Sequence, residues 1–394
     1  MEFSNRISGL KPSAIREILK ISHDDELISF AAGNPAPSTF PVAEMADIAS
    51  EIFKNDASSA LQYGVSEGFT PLREYTAARI KRKYNIGGDN DGLIITSGGQ
   101  QGIEMTAKIF LNENDAVICE DPSFIGALNA FRSYGARLIG IGTDDFGMRV
   151  DELEEKLKTE KNVKLIYTIP TFQNPTGTTL SLERRKKMLE LAEKYDVMII
   201  EDSPYFELRF GGSDVPTIKS MDTSGRVIFS GSYSKIFSPG MRIGYVCADK
   251  KVLDKLVIAK QVSDVHTNLF FQMLISKYLE ENDVDKHIES IRSVYGRKCA
   301  LMLSCMDEMF PRNVEYTRPQ GGLFLWCRIP DGYDGREFAS RAKEKKVTVV
   351  PGCAFATDES AVCPSFRLNY SLPSEDDIRN GIGRLSEVLR DYVK

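Results

Sequence analysis

The chain of 394 residues exceeds what one hydrophobic core usually serves, so two domains are expected. Its 42% hydrophobic and 27% charged residues suit a globular protein, and a net charge of -6 argues against a nucleic-acid partner or an acidic membrane surface. No run approaches about 18 uninterrupted apolar residues, and the N-terminus lacks the basic-then-apolar pattern of a secretory signal, so no membrane partner is expected. The seven cysteines are scattered with no Cys-x-x-Cys, and there are three histidines. Neither a disulfide framework nor a metal site is expected, and a reducing cytoplasm is the natural setting.

In chain order, the first stretch is rich in Gly, Pro and Ser around Gly33-Asn-Pro-Ala-Pro and reads as an extended segment. Seven short runs rich in Ile and Val follow, at 93–96, 116–119, 137–141, 165–169, 197–200, 227–229 and 243–247. They are apolar throughout, as strands buried on both faces must be. Helical patterns such as 101–111 and 182–195 lie between them, so the spacing predicts a mainly parallel sheet covered by helices. The seventh run begins too soon after the sixth for a helical crossover, which predicts an antiparallel neighbour. One long helical stretch is expected over 251–281 and another over 284–308. A smaller α+β unit closes the chain, with strands near 323–329, 348–350 and 366–370 and helices at 335–345 and 375–393. The fold class is therefore α/β, with a seven-stranded, mostly parallel sheet plus a small α+β domain. The expected division is an N-terminal arm at 1–45, a large domain at 46–285 and a small domain at 286–394.

Four segments at strand ends carry chemistry. Gly231-Ser-Tyr-Ser-Lys235 follows a strand, and Arg242 lies seven residues on, past a Pro-Gly turn. A lysine there can form an imine with an aldehyde cofactor, and an arginine can clamp that cofactor's phosphate bidentately. The alternative is a surface Lys and Arg flanking a turn. Ser97-Gly-Gly-Gln-Gln-Gly102 joins a strand to a helix and can bring backbone N–H groups to an anion, or be a plain turn. Asn174-Pro-Thr-Gly177 offers a side-chain amide to a phenolate oxygen, or forms a simple turn. Asp202, in Glu201-Asp-Ser-Pro-Tyr205, is costly to bury without a cation, and a protonated pyridine nitrogen is one. Otherwise it is a capping Asp, and Tyr205 a core residue. In an open sheet, carboxyl-end loops of this kind meet in one crevice. Arg367 lies in the strand-like run Ser365-Phe-Arg-Leu-Asn-Tyr370, where a buried guanidinium needs an anion, either a substrate carboxylate or a structural Asp or Glu.

With these residues in order, the chain resembles the fold-type I, pyridoxal 5'-phosphate (PLP)-dependent aminotransferases of class I/II. Within them it resembles the 2-aminoadipate/kynurenine aminotransferase-like subgroup. Further matching segments are Gln62-Tyr-Gly64, Glu120-Asp-Pro-Ser-Phe124, Gly321-Gly-Leu-Phe-Leu-Trp326 and Pro351-Gly-Cys-Ala-Phe355. The resemblance implies that Lys235 holds PLP as a Schiff base and shuttles the α-proton, and that Asp202 pairs with the pyridine nitrogen. It implies that Asn174 and Tyr205 bond the ring's phenolic oxygen, and that Gly99, Gln100, Ser232 and Arg242 hold the phosphate. Phe124 would stack on the ring, where much of the family has Tyr. Tyr63 would reach the cofactor of a second subunit, making a homodimer. Arg367, Asn174 and the Gly33 backbone would bind the substrate carboxylate.

The activity implied is amino-group transfer from an L-amino acid to a 2-oxo acid, with 2-oxoglutarate as acceptor and large aliphatic, aromatic or aminoadipate-like donors. The same scaffold supports carbon–sulfur lyases. It also occurs in MocR-type regulators, but those carry a winged-helix domain ahead of it, for which the position of Gly33 leaves no room. The segment 8–40 is either a mobile lid over the substrate or a static arm bracing the dimer.

Overall fold

A computed structural model describes residues 3–8, 10 and 26–393. All seven expected strands form. They are β2 (Asp91–Thr96), β3 (Ala116–Asp121), β4 (Arg137–Asp144), β6 (Val163–Thr168), β7 (Met198–Asp202), β8 (Val227–Ser232) and β9 (Gly244–Asp249). The sheet nevertheless has eight strands, in the order β2-β9-β8-β7-β6-β3-β4-β5, which corrects the expected seven. The extra edge strand, β5 (Gly147–Met148), folds back antiparallel on β4. Asp144 Oδ1 accepts the Phe146 N–H at 2.8 Å, and Gly147 takes the left-handed conformation at φ 88° that this turn requires. Two residues are too few to show a periodicity in the sequence.

Strands β3, β4, β6, β7 and β8 run parallel, while β9 pairs antiparallel with both β8 and β2, as its short connection predicts. Both faces are buried. Val117, Leu165, Ile200 and Phe229 enter one core, and Ile118, Ile166, Ile199 and Val227 enter another. This alternation inside continuous apolar runs is the pattern of a helix-covered parallel sheet.

The expected single helix over 251–281 is two, Lys250–Gln261 and Leu269–Glu281. Asn268 caps the second, its Oδ1 accepting the Phe271 N–H at 3.1 Å. An Asn at a helix start is a strong N-cap, and the apolar periodicity on either side of it concealed the break. The helix Val284–Met309 then leads to a four-stranded antiparallel sheet of β10 (Glu315–Tyr316), β11 (Phe324–Arg328), β14 (Ser365–Asn369) and β13 (Val350–Pro351), in that order. The strand expected at 348–350 is divided. Thr348 belongs to β12 (Val347–Thr348), which pairs in parallel with β1 (Ile28–Ser29), and Val350 belongs to β13. Phe30, Ala31 and Ala32 are buried immediately after β1. Of the segment 8–40, residues 9 and 11–25 lie outside the described residues. No described helix is long and apolar enough to cross a membrane.

Candidate active site

Strands β2, β3, β6, β7 and β8 all point their carboxyl ends to one edge of the sheet, and antiparallel β9 starts there just after Arg242. Lys235 ends a short 3-10 turn, Tyr233–Lys235, that Ser232 caps by accepting the Ser234 N–H at 3.1 Å. Its Nζ donates to the Gly33 carbonyl at 2.8 Å and lies 5.9 Å from the centre of the Tyr205 ring. Burial, with the nearby Arg367 and Arg242 charges, lowers the amine to about 8. About a tenth of it is therefore neutral at pH 7, far more than for an ordinary lysine, and the neutral amine is the nucleophile toward a carbonyl.

Asp202 is the last residue of β7 and is buried. Its Oδ2 accepts the Tyr167 hydroxyl at 2.8 Å, and burial pushes the carboxyl up to about 7 despite that bond. A Cβ built on Gly99 would lie 3.9 Å from Oδ1, so the second oxygen faces the turn after β2. Tyr205 is buried edge-on to Phe324, with ring centres 5.8 Å apart, and burial raises its phenol while Arg367 and a bond with Asn174 oppose the rise.

The turn after β2 forms a cradle. Gly98 has φ 79°, and any Cβ there would overlap the Arg242 guanidinium. Arg242, itself left-handed at φ 57°, donates from Nη2 to the Ser97 carbonyl and from Nη1 to the Pro239 carbonyl, both at 3.2 Å. The helix Gly99–Phe110 starts here without a side-chain cap, so its first N–H groups remain available to an anion. Gln100 lies at the rim and donates to the Gly126 carbonyl at 2.8 Å. Beneath the turn, the buried Ser230 hydroxyl has no partner.

Arg367 is assembled from distant pieces. It lies in β14, is 1% exposed, and donates to Asn174 Oδ1 and to the Ala31 carbonyl, each at 2.7 Å. Phe324 and Phe355 sandwich it, with ring centres 4.1 and 4.7 Å from the guanidinium carbon. Its Nε has no partner, no carboxylate pairs with it among the described residues, and burial lowers it to about 9. The structural Asp or Glu that would explain it without a ligand is absent there. Arg185, by contrast, is equally buried yet spends its donors on Leu180, Pro170, Thr171, Val215 and Pro216.

Of the remaining expected site residues, Tyr63 stands apart at the surface, whereas Phe124 lies beside Gln100, since a Cβ on Gly126 would meet both. Tyr63 is 81% exposed and packs perpendicular to His266, with ring centres 5.8 Å apart. Phe124 opens the helix Ile125–Arg132 after β3 and is half-buried. Sequence reasoning missed Tyr167, Phe324, Phe355 and Glu120. Glu120 is buried, accepting from the Thr168 hydroxyl at 2.7 Å, the Ile169 N–H at 3.1 Å and the Gln173 amide at 3.2 Å. A charged residue ending an apolar strand was the available signal for Glu120; Tyr167 reads as an ordinary strand aromatic. Among the described residues no cluster of His, Cys, Asp or Glu is placed to hold a metal ion.

A lysine amine, a buried carboxylate and a glycine cradle at the ends of parallel strands define a fold-type I PLP enzyme. The aminotransferase class I and II family matches residues 25–385, and the chain belongs to that family. It is 43% identical over 396 residues to aromatic-amino-acid aminotransferase 1 of Thermococcus litoralis, covering 100% of this chain and 95% of that protein. Two solved structures are also similar. The kynurenine aminotransferase of Pyrococcus horikoshii, in complex with PMP, superimposes with TM-score 0.96 at 42% identity, covering 100% of this chain and 98% of that one. The α-aminoadipate aminotransferase of Thermus thermophilus, complexed with N-(5'-phosphopyridoxyl)-L-leucine, gives TM-score 0.91 at 36% identity, covering 99% and 97%. The protein is a PLP-dependent aminotransferase.

The residues present fit that cofactor. Asp202 is a buried carboxylate with one oxygen committed to Tyr167 and no described cation beside it. A Cβ on Gly98 would fill the cradle, and the Lys235 amine is held below its usual range.

Proposed function

We propose that the site transfers the amino group of large aliphatic, aromatic or aminoadipate-like L-amino acids to 2-oxoglutarate. The observation that carries this reading is Arg367, a buried guanidinium with a free Nε and no described carboxylate, bonded to the same Asn174 that neighbours Tyr205. Such a cation is costly without an anion, and the α-carboxylate of an amino acid supplies one bidentately. The names of the similar proteins, which refer to aromatic amino acids, kynurenine and α-aminoadipate, support the donor range.

When bound, PLP supplies an electron-withdrawing ring that makes the substrate's α-hydrogen acidic. Arg367 and Asn174 orient the substrate through its carboxylate, with the Gly33 backbone beside them. Lys235 provides the neutral amine and moves the proton at its Nζ. Asp202 would present Oδ1 to a protonated ring nitrogen while Tyr167 holds Oδ2. Asn174 and Tyr205 would bond the ring's phenolic oxygen, and Phe124 would cover its face. Gly99, Gln100, Ser232 and Arg242 would hold the phosphate.

The same reading includes a homodimer in which Tyr63 reaches the second subunit's site. Tyr63 is accompanied at the surface by exposed Leu61 and Val65, a local apolar cluster of the kind that a subunit interface covers. It also keeps the division at 1–45, 46–285 and 286–394. Cytoplasmic residence is supported by seven free cysteines, six of them buried.

A screen of amino donors against 2-oxoglutarate and pyruvate tests the activity. Large donors should exceed aspartate in kcat/KM with 2-oxoglutarate; preference for aspartate, or release of pyruvate and ammonia from cystathionine instead of transfer, overturns the reading. Light scattering should give twice the chain mass.

A further inference from the structure

Lys260 ends the helix Lys250–Gln261 one residue short of its C-terminus, where a lysine ordinarily extends into water. Here it is 0% exposed. Its ammonium group has three protons and meets three partners: Gln101 Oε1 at 2.7 Å, Thr267 Oγ1 at 2.8 Å and the Asp264 carboxylate at 2.9 and 3.1 Å. Burying a charge this completely is costly unless every proton is used, and a buried ion pair as a whole is weak evidence for stability, although removing one partner alone leaves the other uncompensated. The arrangement of its partners gives Lys260 a role beyond stability.

All three partners converge on Ser97, with Thr267 Oγ1 lying 3.2 Å from the Ser97 hydroxyl oxygen. Gln101 Oε1, which takes the Lys260 proton, also accepts the Ser97 N–H at 2.7 Å. Asp264 Oδ2 accepts the Ser97 hydroxyl at 2.7 Å. The Ser97 carbonyl in turn receives Arg242 Nη2 at 3.2 Å, beside the Gly98 position that leaves that guanidinium its space. Ser97 is thus held at its nitrogen, its side chain and its carbonyl, and two of the three holds pass through Lys260. Asp264 and Thr267 come from the break at 262–268, where Val265 takes φ 65°, a conformation costly for a β-branched residue. The chain accepts that strain while placing Asp264 and Thr267 around the amine.

We propose that Lys260 is a positioning residue for the cofactor's phosphate: it fixes Ser97 through Gln101 and Asp264, and Ser97 sets the Arg242 guanidinium at the cradle. This rests on the reading of the Ser97–Gly102 turn and Arg242 as the phosphate site. The test compares PLP with pyridoxal, which has the same aldehyde and ring but no phosphate. Apoprotein prepared from the holoenzyme is titrated with each by calorimetry, for wild type, Lys260→Met, Ser97→Ala and Arg242→Ala.

Lys260→Met should raise the PLP Kd about tenfold or more, a change of about 1.4 kcal/mol, and leave the pyridoxal Kd within about twofold. Ser97→Ala should show the same selective loss, smaller, at about threefold; it decides alone if Lys260→Met does not fold. An unchanged PLP Kd overturns the proposal, as does equal weakening of PLP and pyridoxal, which marks a general structural role. Arg242→Ala separates the two levels. If it loses PLP selectively and Lys260→Met does not, only the role of Lys260 fails. If Arg242→Ala shows no phosphate-selective loss, the cradle reading fails and the Lys260 proposal with it.

Discussion

Lys235, Asp202 and the Gly98–Gly99 turn sit at the ends of three strands of one sheet, each placed by backbone pairing a few residues away. Arg367 is placed by another route. Its strand belongs to the small sheet, its two hydrogen bonds go to Asn174 and Ala31, and its ring partners come from β11 and the turn after β13. The proposed cofactor side is a fixed edge, whereas the proposed carboxylate side exists only where three distant parts of the chain meet. Their electrostatics follow suit. Burial shifts Lys235 to about 8 and Asp202 to about 7, both toward the neutral form, and Arg367 to about 9, leaving a cation that lacks its counter-ion. The first side is prepared to accept a permanent group, the second a passing one.

Replacing groups on the two sides should produce different kinetic signatures. Lys235→Ala should have the largest effect, turnover below detection, because the only amine that attacks the aldehyde and carries the proton is gone. Borohydride reduction of the wild-type holoenzyme, followed by peptide mapping, should place a single pyridoxyl adduct on the Lys235 peptide; an adduct elsewhere breaks the comparison at its centre. Asp202→Asn should lose about 2–4 kcal/mol of transition-state stabilisation, or roughly 30- to 1,000-fold, in kcat rather than in KM. A loss confined to KM would place Asp202 on the substrate side instead.

Arg367→Ala should show the opposite split. The substrate carboxylate loses a charged, bidentate partner, costing about 1.5–3 kcal/mol in kcat/KM, mostly through KM. An unaltered KM for every amino acid would mean the carboxylate binds elsewhere. The Lys235 amine gives a smaller, pH-dependent effect. Its neutral form reacts, so the rate at which apoprotein captures PLP should rise with pH through about 8 and then level, rather than rising toward the ordinary lysine value of 10.5. Between pH 7 and 8 the gain is about fivefold for a single titrating amine. Stopped-flow mixing at a series of pH values measures it, and a continued rise above pH 9 would place the amine in an ordinary, solvated state. Tyr167→Phe should be the mildest change. Asp202 loses one hydrogen bond that favours its ionised form, so its carboxyl rises further and kcat falls about fivefold, or about 1 kcal/mol, with little effect on KM.

The same contrast explains what could be read in advance. Strands β3, β6, β7 and β8 announce themselves as apolar runs, and a residue at the end of such a run is positioned by the strand itself. Lys235, Asp202 and Asn174 were therefore legible as candidates from their place in the chain. The two-residue strand β5 and the split between β12 and β13 were not, because a register decided by pairing partners leaves no period in so few residues. The helix break at 262–268 was hidden by apolar residues on both sides, although Asn268 carried the capping signal.

Sequence alone determined the layered α/β architecture, the reversed strand β9 and the chemical identities at each strand end, since these follow from local periodicity and short connections. Only the tertiary structure decided how those chemistries are tuned. Tyr167 became the partner of Asp202, Lys260 the support of Ser97, and Phe324 and Phe355 the walls around Arg367. These pairs are separated by about a dozen to about 160 residues, and desolvation, which sets how far each charge is shifted, depends on everything packed around a group and not on its neighbours in the chain.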